Sequence, residues 1–412
     1  MMGRVVCATA HEPVNRYASN LMLRCKVTSS VLILSERVRI STDLGTAVVC
    51  QMAVALVVAQ TGPREKPPMA EKVFKNVQLL KGIPVDQFMG TMGFFSASLG
   101  MTCTDCHIAE SGGNWEKYAD DTELKQTTRK MLVMVSALNR TYFGGRREVT
   151  CYSCHRGGDR PRVTPSLIEL YSAPPPPEPP DSIEQASAPR PADPILDKYI
   201  QAVGGAQHLA NLTSFVAKGT YVGFGETDKT PLEIFAKAPD QRTTIVHTPI
   251  GDSINVYNGR TGWTAAPVAN TPVPVLEMTG GDLEGAKLDA DLFFPAGIKQ
   301  ALRQWRAGAP ATIDDHAVQV VQGTSDGRYP VNLYFDPKSG LLVRMVRFND
   351  SPVGLNPTQI DYADYREVAG VKLPFRWTVT WLSGRSTIEL TEVQPNVRID
   401  AAKFAKPNSP AR

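Results

Sequence analysis

The chain contains the same five-residue motif twice, as Cys103-Thr-Asp-Cys106-His107 and as Cys151-Tyr-Ser-Cys154-His155. This spacing is typical of c-type haem attachment sites. Two thiols three residues apart lie on one turn of a helix, where they can form thioethers with the two haem vinyl groups. The imidazole that follows can then bind the iron. The sequence therefore predicts two covalently bound haem c groups, with His107 and His155 as iron ligands.

Two other uses of a Cys-x-x-Cys pair fit these residues less well. A zinc site built from two such pairs has about 15–20 residues between them, whereas 44 residues separate Cys106 from Cys151. A redox-active dithiol is expected near a βαβ unit, and no strand is predicted before either motif. Neither alternative explains why a histidine follows each pair.

A helix with methionines is predicted before each motif. The first begins near Pro84 and ends at Gly100, because proline favours the start of a helix and glycine its end. The second spans Asp121 to Asn139 and ends before Gly144-Gly145. The apolar residues of each helix recur three or four positions apart: Met89, Met92, Phe95 and Leu99 in the first, and Met131, Leu132, Met134, Val135 and Leu138 in the second.

Methionines at helical spacing usually fill a hydrophobic core. Beside a haem attachment site a second interpretation applies, because a thioether commonly binds the iron opposite histidine in cytochromes c. The methionines of these two helices are therefore candidates for the far side of each iron.

The segment from about residue 75 to 163 resembles the cytochrome c subunit of photosynthetic reaction centres. The resemblance is carried by three runs of residues: Met92-x-x-Phe95-x-x-x-Leu99-Gly100-x-x-Cys103-x-x-Cys106-His107, Lys125-x-x-x-Arg129-x-Met131-x-x-Met134-x-x-x-x-Asn139, and Val149-Thr-Cys151-Tyr-Ser-Cys154-His155-Arg156-Gly157.

This resemblance implies specific ligands. By position, the family's axial methionines correspond to Met92 for the first haem and Met131 for the second, with Met89 and Met134 as alternatives. Arginines at two family positions, Arg129 and Arg156, are expected to contact haem propionates.

The resemblance also implies a function. The family carries four haems as two pseudo-symmetric pairs, whereas this chain has one pair. We therefore expect an electron carrier between a redox donor and an acceptor, and the resemblance does not imply docking to a photosynthetic reaction centre. A haem enzyme of peroxidase type is the alternative, and it requires an open position on one iron.

The N-terminal residues predict export. Six Lys and Arg residues against two Glu in the first forty residues precede an apolar stretch, Thr46 to Ala59. This pattern favours a secretory signal at residues 1–59, cleaved after Ala59 and preceded by an unusually long lead-in. Without cleavage the segment would tether the protein to the membrane. Haem is attached outside the cytoplasmic membrane, so the predicted location is the periplasm.

Composition divides the rest of the chain. Residues 60–171 are predicted to form the α-helical dihaem domain, and the proline-rich segment 172–194 a stiff linker. Helices at 195–203 and 206–212 then precede ten predicted antiparallel strands with a helical insert at 282–306. The predicted fold class is therefore multidomain α plus β, with an antiparallel half-barrel at 195–408. The ten strands are 213–223, 231–238, 241–248, 252–258, 317–323, 328–336, 340–348, 357–367, 371–382 and 385–395.

The C-terminal half resembles the half-barrel of periplasmic lipoprotein carriers and lipoprotein-sorting proteins. The resemblance rests on Tyr199, Gly204-Gly205, Gly219, Asp361-Tyr362-x-x-Tyr365-Arg366 and Gly370-x-x-x-Pro374. It implies a hydrophobic or lipid ligand, or a docking role, and a third functional hypothesis is a lipid carrier with a redox module. A net charge of +3 without a basic run argues against nucleic acid as a partner.

Overall fold

The computed structural model describes residues 66–112, 114–172, 191–268, 271–325 and 329–410. The predicted signal segment and nearly all of the predicted linker lie outside these ranges. None of the helices in the described ranges is long and apolar enough to cross a membrane.

The haem-motif region, residues 66–172, contains six short to medium α-helices among its described residues. The two predicted methionine helices are among them and are confirmed. Proline precedes the first of them. Glycines in the left-handed conformation end the first at Gly100 and the second at Gly144. The bounds are α1 Ala70–Val73, α2 Val85–Leu99, α3 Cys103–Cys106, α4 Glu123–Phe143, α5 Cys151–His155 and α6 Leu167–Tyr171.

Helix α1 is short and ends at Val73. Phe74 is extended, and Asn76 has a positive φ of 60°. The Asn76 side chain donates to the carbonyl of Ala119 at 2.8 Å and to Asp121 at 2.9 Å. These contacts hold the chain in a turn toward α4 and prevent the helix from continuing.

The C-terminal half is one open antiparallel sheet, so the α plus β fold class is confirmed. All ten predicted strands are present within a few residues of their expected ends. The strand order is β6-β5-β4-β3-β2-β1-β14-β13-β12-β11-β10-β9-β7, and β8 pairs with β9. The bounds are β1 Ser214–Gly223, β2 Thr230–Lys237, β3 Gln241–Thr248, β4 Gly251–Asn258, β5 Gly262–Ala265, β6 Val275–Glu277, β7 Arg303–Ala307, β8 Ala311–Ile313, β9 His316–Ser325, β10 Tyr329–Phe335, β11 Leu342–Ser351, β12 Gly354–Val368, β13 Val371–Trp381 and β14 Gly384–Pro395.

The helical insert is shorter than expected. Helices α9 Gly280–Asp291 and α10 Ile298–Ala301 are present, but Arg303–Ala307 forms strand β7 and not the end of a helix. Strand β7 was missed because its sequence, Arg-Gln-Trp-Arg-Ala, has no apolar alternation. Strands β5, β6 and β8 were missed because three or four residues are too few to show a period of two.

The main hydrophobic core belongs to the sheet and its own helices. Helices α7 Asp193–Ala202 and α8 Gly205–Asn211 contribute Leu196, Tyr199 and Leu209, while the strands contribute Phe215, Phe335 and their buried neighbours. Every buried member of this core lies between Ala192 and Leu390. The sheet therefore has a core of its own that excludes the haem-motif region.

The haem-motif region nevertheless contacts the sheet. Residues 64–412 form one compact unit, and α2 packs against β6, β11 and β12. The division into a haem domain, a linker and a β-domain remains a prediction about which parts fold alone.

Candidate functional site: two cysteine and histidine turns

Each Cys-x-x-Cys-His motif begins with a capped helical turn. In the first motif, the Asp105 carboxylate accepts the backbone N–H of Thr102 at 2.7 Å. In the second, Ser153 Oγ accepts the N–H of Thr150 at 3.0 Å, and Thr150 Oγ1 accepts the N–H of Ser153 at 3.3 Å. These capping boxes stabilise single-turn helices that are marginal alone. Each therefore holds its two cysteines on one turn, as thioether attachment requires.

Both motif histidines make the same backbone hydrogen bond. His107 Nδ1 lies 3.2 Å from the Tyr118 carbonyl oxygen, and His155 Nδ1 lies 3.0 Å from the Gly158 carbonyl oxygen. A carbonyl can only accept, so Nδ1 must donate. In a neutral imidazole this leaves the Nε2 lone pair for a metal, and such a second bond is typical of metal-binding histidines. Both rings are thus in the tautomer that suits an iron ligand.

The surroundings of His107 favour its neutral form. Partial burial, together with the Lys125 ammonium, lowers the pKa of His107 despite the bond to Tyr118. The Tyr118 ring packs against the imidazole, with 4.7 Å between ring centroids. Lys125 Nζ donates to the carbonyls of Tyr118 at 2.9 Å and Asp120 at 2.6 Å. Lys125 therefore shares the acceptor that orients His107.

One cysteine of each motif is partly buried, and burial favours its protonated thiol. Burial, and for Cys106 also the nearby Asp105 carboxylate, raises the pKa of Cys106 and Cys151. Cys103 and Cys154 are exposed. Among the described residues no three Cys, His, Asp or Glu side chains cluster as a metal site.

The two attachment turns lie beside the same helix end. Helix α3 follows the C-terminus of α2 directly, and α5 packs against α2. The N–H of Gly157 donates to the carbonyl of Ser98 at 2.9 Å. A side chain at Gly100 would overlap the Gly157 carbonyl, so glycine is required for this close approach. Two haems attached here would be neighbours.

The predicted methionine ligands lie on the two long helices. Met92 is half-buried in α2, whereas Met89 is 42% exposed. On α4, Met131 and Met134 are 39% and 46% exposed. Burial does not distinguish Met131 from Met134, so the choice of Met92 and Met131 stays a prediction.

Helix α4 fits a haem as a packing partner. It spans 21 residues but buries only Asn139, and it exposes Leu124, Met131, Val133 and Met134. Leu124, Met131 and Met134 share one side of the helix, and an exposed apolar surface of this kind usually marks a ligand or an interface. A haem is a flat apolar group that could cover such a surface, so the residues present fit the predicted cofactor.

The two predicted propionate contacts have other roles in this structure. Arg129 forms an ion pair with Asp121 at 2.8 Å, and this contact lowers the pKa of Asp121. Arg156 caps α5 in the left-handed conformation, with φ at 50°. Whether either arginine contacts a propionate stays a prediction.

Several residues that position the site were missed by the sequence analysis. Thr122 caps α4 and donates to the Cys106 carbonyl at 2.7 Å. Met101 Sδ lies 3.7 Å from Cys106 Sγ. The backbone carbonyls of Tyr118 and Gly158, which accept from the two histidines, were not predictable, because every residue type has such a carbonyl. A threonine before the acidic start of a predicted helix is a recognisable cap, so Thr122 could have been found.

The match with a known protein family includes both motifs. Residues 42–169 match the family described as the photosynthetic reaction centre cytochrome C subunit. The photosynthetic reaction center cytochrome c subunit of Thermochromatium tepidum is 36% identical over 99 residues, which is 23% of each chain. That of Rubrivivax gelatinosus is 35% identical over 100 residues, covering 23% of this chain and 25% of the relative.

These matches confirm the resemblance read from the motifs. The family is one of haem c cytochromes, which are electron carriers. The chain covers about a quarter of the length of these relatives.

Solved structures with similarity to this chain share little sequence with it. A DUF1329 family protein from Desulfovibrio piger has a TM-score of 0.39 at 10% identity, covering 52% of this chain and 98% of that one. A LolA superfamily protein from Nitrosomonas europaea has a TM-score of 0.36 at 15% identity, covering 52% and 97%.

A small cavity lies between the sheet and the helices that pack on it. Its volume is about 70 Å³, and it is lined by Tyr199, Arg242, Asp289, Phe293, Tyr362 and eight further residues of the core and sheet, among them Trp377. The Arg242 guanidinium lies 4.5 Å from the centre of the Phe293 ring.

Proposed function

We propose that the protein is a periplasmic c-type cytochrome that carries single electrons between a redox donor and an acceptor. Two haem c groups are attached, one through Cys103 and Cys106 and the other through Cys151 and Cys154. The observation that carries the proposal is the repeated turn. Both copies present two cysteines on one capped turn, and both orient the following imidazole through a bond from Nδ1 to a backbone carbonyl.

The residues divide the task of holding each group. His107 and His155 offer Nε2 to the iron on one side, and Met92 and Met131 offer a thioether on the other. A bound haem supplies one-electron chemistry at its iron. Methionine opposite histidine favours the reduced iron, so both haems should have high reduction potentials. With both sides of each iron filled by protein ligands, the site favours electron transfer over catalysis.

The position of the two turns supports electron exchange between the haems. Both turns sit at the C-terminal end of α2, joined by the bond from Gly157 to Ser98. Haems held at these two turns would be neighbours in one chain, which would favour electron exchange between them. Export, which the N-terminal composition favours, would bring the chain to the compartment where haem is attached. Docking to a photosynthetic reaction centre is not part of the proposal.

Mass spectrometry of the mature protein tests the haem count. The protein should be heavier than its apo-chain by two haems. The double variant Cys151→Ala/Cys154→Ala should lose one haem, and Cys103→Ala/Cys106→Ala, its matched counterpart, should lose the other. If both haems remain in either variant, the attachment sites are wrong.

Carbon monoxide separates the carrier from a haem enzyme of peroxidase type. Six-coordinate haems with histidine and methionine should bind carbon monoxide poorly, and their absorption spectra should be low-spin. Rapid binding to one haem in the unmodified protein would show an open iron position. That result would favour the enzyme and contradict the proposed ligand set.

A further inference from the structure

The β-domain, residues 191–410, binds one side of helix α2 from its first turn to its middle. At the N-terminal end, the buried Asp86 carboxylate accepts both the backbone N–H and the hydroxyl of Thr279, each at 2.6 Å. Thr279 lies between strand β6 and helix α9. These are charge-assisted bonds, the stronger class of hydrogen bond. They fix the first turn of α2 to the helical insert of the sheet.

The middle of α2 is held by the hairpin formed by β11 and β12. Asn356 Nδ2 donates to the Gly90 carbonyl at 3.1 Å. A Cβ at Gly90 would lie only 2.9 Å from Asn356 Nδ2, so the absence of a side chain permits this contact. The Phe94 ring is buried against Gly354, where any added Cβ would overlap the ring.

Met92 lies on the other side of the same helix. An α-helix turns by about 100° per residue. Met92 is two residues after Gly90 and two before Phe94, which places it about 160° from each. The β-domain therefore holds α2 from the side opposite Met92. Any shift of the helix on the sheet moves the methionine sulfur by a similar distance.

We infer that Thr279 and Asn356 of the β-domain are positioning residues for the first haem, because they fix α2 so that Met92 reaches the iron opposite His107. The inference rests on the proposed assignment of Met92 as a ligand. Ligand sites require placement within about 0.5 Å. Bonds at both its first turn and its middle restrict the movement of α2 more than attachment through its ends alone would.

The double variant Thr279→Val/Asn356→Ala tests the inference. It removes two side-chain bonds to α2 and leaves every residue of the haem-motif region unchanged. Losing one hydrogen bond of ordinary strength changes an equilibrium about fivefold. The fraction of the first haem that binds carbon monoxide should rise about tenfold or more, and its reduction potential should fall. The second haem should be unaffected.

A matched control separates positioning from general loss of stability. Thr378→Val removes the 3.1 Å bond between the Thr378 and Thr387 hydroxyls, which joins β13 to β14 away from α2. The control should leave both haems unchanged. If it shifts the first haem as much as the double variant does, the effect is not positioning and the inference is wrong.

Hydrogen exchange provides a readout that does not depend on the haem. The amides of α2 should exchange faster in the double variant than in the control. If they exchange equally slowly in both, the two bonds do not hold the helix and the inference fails.

Met92→Ala distinguishes this inference from the proposed ligand set. If Met92→Ala leaves the first haem low-spin and closed to carbon monoxide, the ligand assignment itself is wrong and the inference falls with it. If Met92→Ala opens that iron but the double variant does not, the ligand assignment stands and the positioning inference alone is overturned.

Discussion

Asn139 and Val149 exchange two hydrogen bonds across the turn that leads into the second motif. Asn139 Nδ2 donates to the Val149 carbonyl at 2.7 Å, and the Val149 N–H donates to Asn139 Oδ1 at 3.0 Å. Asn139 is the one buried residue of α4. Its carbonyl also accepts the N–H groups of Gly144 and Gly145 beyond the helix end. The amide thus ties α4 to the residues before Cys151.

Asn139→Ala should destabilise the second haem unit. The change leaves the partly buried backbone groups of Val149 without their partners, at a cost of about 1–3 kcal/mol or less. Thermal unfolding should show the loss of stability, and the mass of the purified protein should show incomplete attachment of one haem. Gln126→Ala, at an exposed position of the same helix, should change neither measurement. Equal effects of the two variants would contradict a specific role for Asn139.

The choice between Met131 and Met134 is open to a direct test. Met131→Ala should open the second iron to carbon monoxide, because it removes the proposed thioether ligand. Met134→Ala should leave the iron six-coordinate. Absorption spectra of both variants, with and without carbon monoxide, check the assignment. The reverse result would make Met134 the ligand, and no effect of either would mean that α4 supplies no thioether.

Lys125 should raise the reduction potential of the first haem. Its ammonium donates to the Tyr118 carbonyl that also accepts from His107. In Lys125→Met, loss of a nearby positive charge stabilises the oxidised iron. The freed carbonyl would also accept more strongly from Nδ1, making the imidazole a better donor to oxidised iron. Both effects lower the potential.

Potentiometric titration of each haem measures this shift. Lys130→Met removes the same charge from an exposed position of α4 and serves as the control. The first haem should shift further in Lys125→Met than in Lys130→Met. Equal shifts would indicate a general charge effect and no special role for the shared carbonyl.

The carboxyl group of Asp282 should make stability depend on pH. Desolvation by the surrounding protein, and the neighbouring Asp86 carboxylate, raise the pKa of Asp282 from 3.8 to about 6, although Arg347 and a bond from Asn349 oppose the rise. The folded state then binds this proton more tightly than the unfolded state. The stabilising contribution is complete below pH 4 and is lost as the pH rises through about 6. Asp282 also keeps contact with solvent, which weakens its contribution to the pH dependence of stability.

Denaturant unfolding of the wild type and of Asp282→Asn between pH 4 and 7 measures this contribution. The wild type should lose stability relative to the variant as the pH rises, because the variant carries no titrating group at this position. A difference that stays constant across this range would contradict the raised pKa.

The local chemistry of the site was predictable, and its long-range support was not. Cys103 to His107 and Cys151 to His155 are contiguous, and glycine ends each methionine helix, so spacing alone located both units. The ten longer strands were also predicted, because they are long enough to carry a strand pattern. By contrast, Asp86 and Thr279 are 193 residues apart, and Gly90 and Asn356 are 266 apart. Neither pair has a pattern in sequence, because the contacts exist only once the sheet has formed.

Residues 191–410 should fold without the haem-motif region. The main core lies entirely between Ala192 and Leu390, so removing residues 1–190 deletes none of its buried side chains. The truncation does remove helix α2, whose Phe94 packs against Gly354 and whose Asp86 accepts hydrogen bonds from Thr279. We therefore expect a β-rich circular dichroism spectrum and one cooperative thermal transition, at a lower temperature than in the full chain. Persistent aggregation, or folding only after the haem-motif region is added back, would show that the α2 contacts are required for the sheet to form.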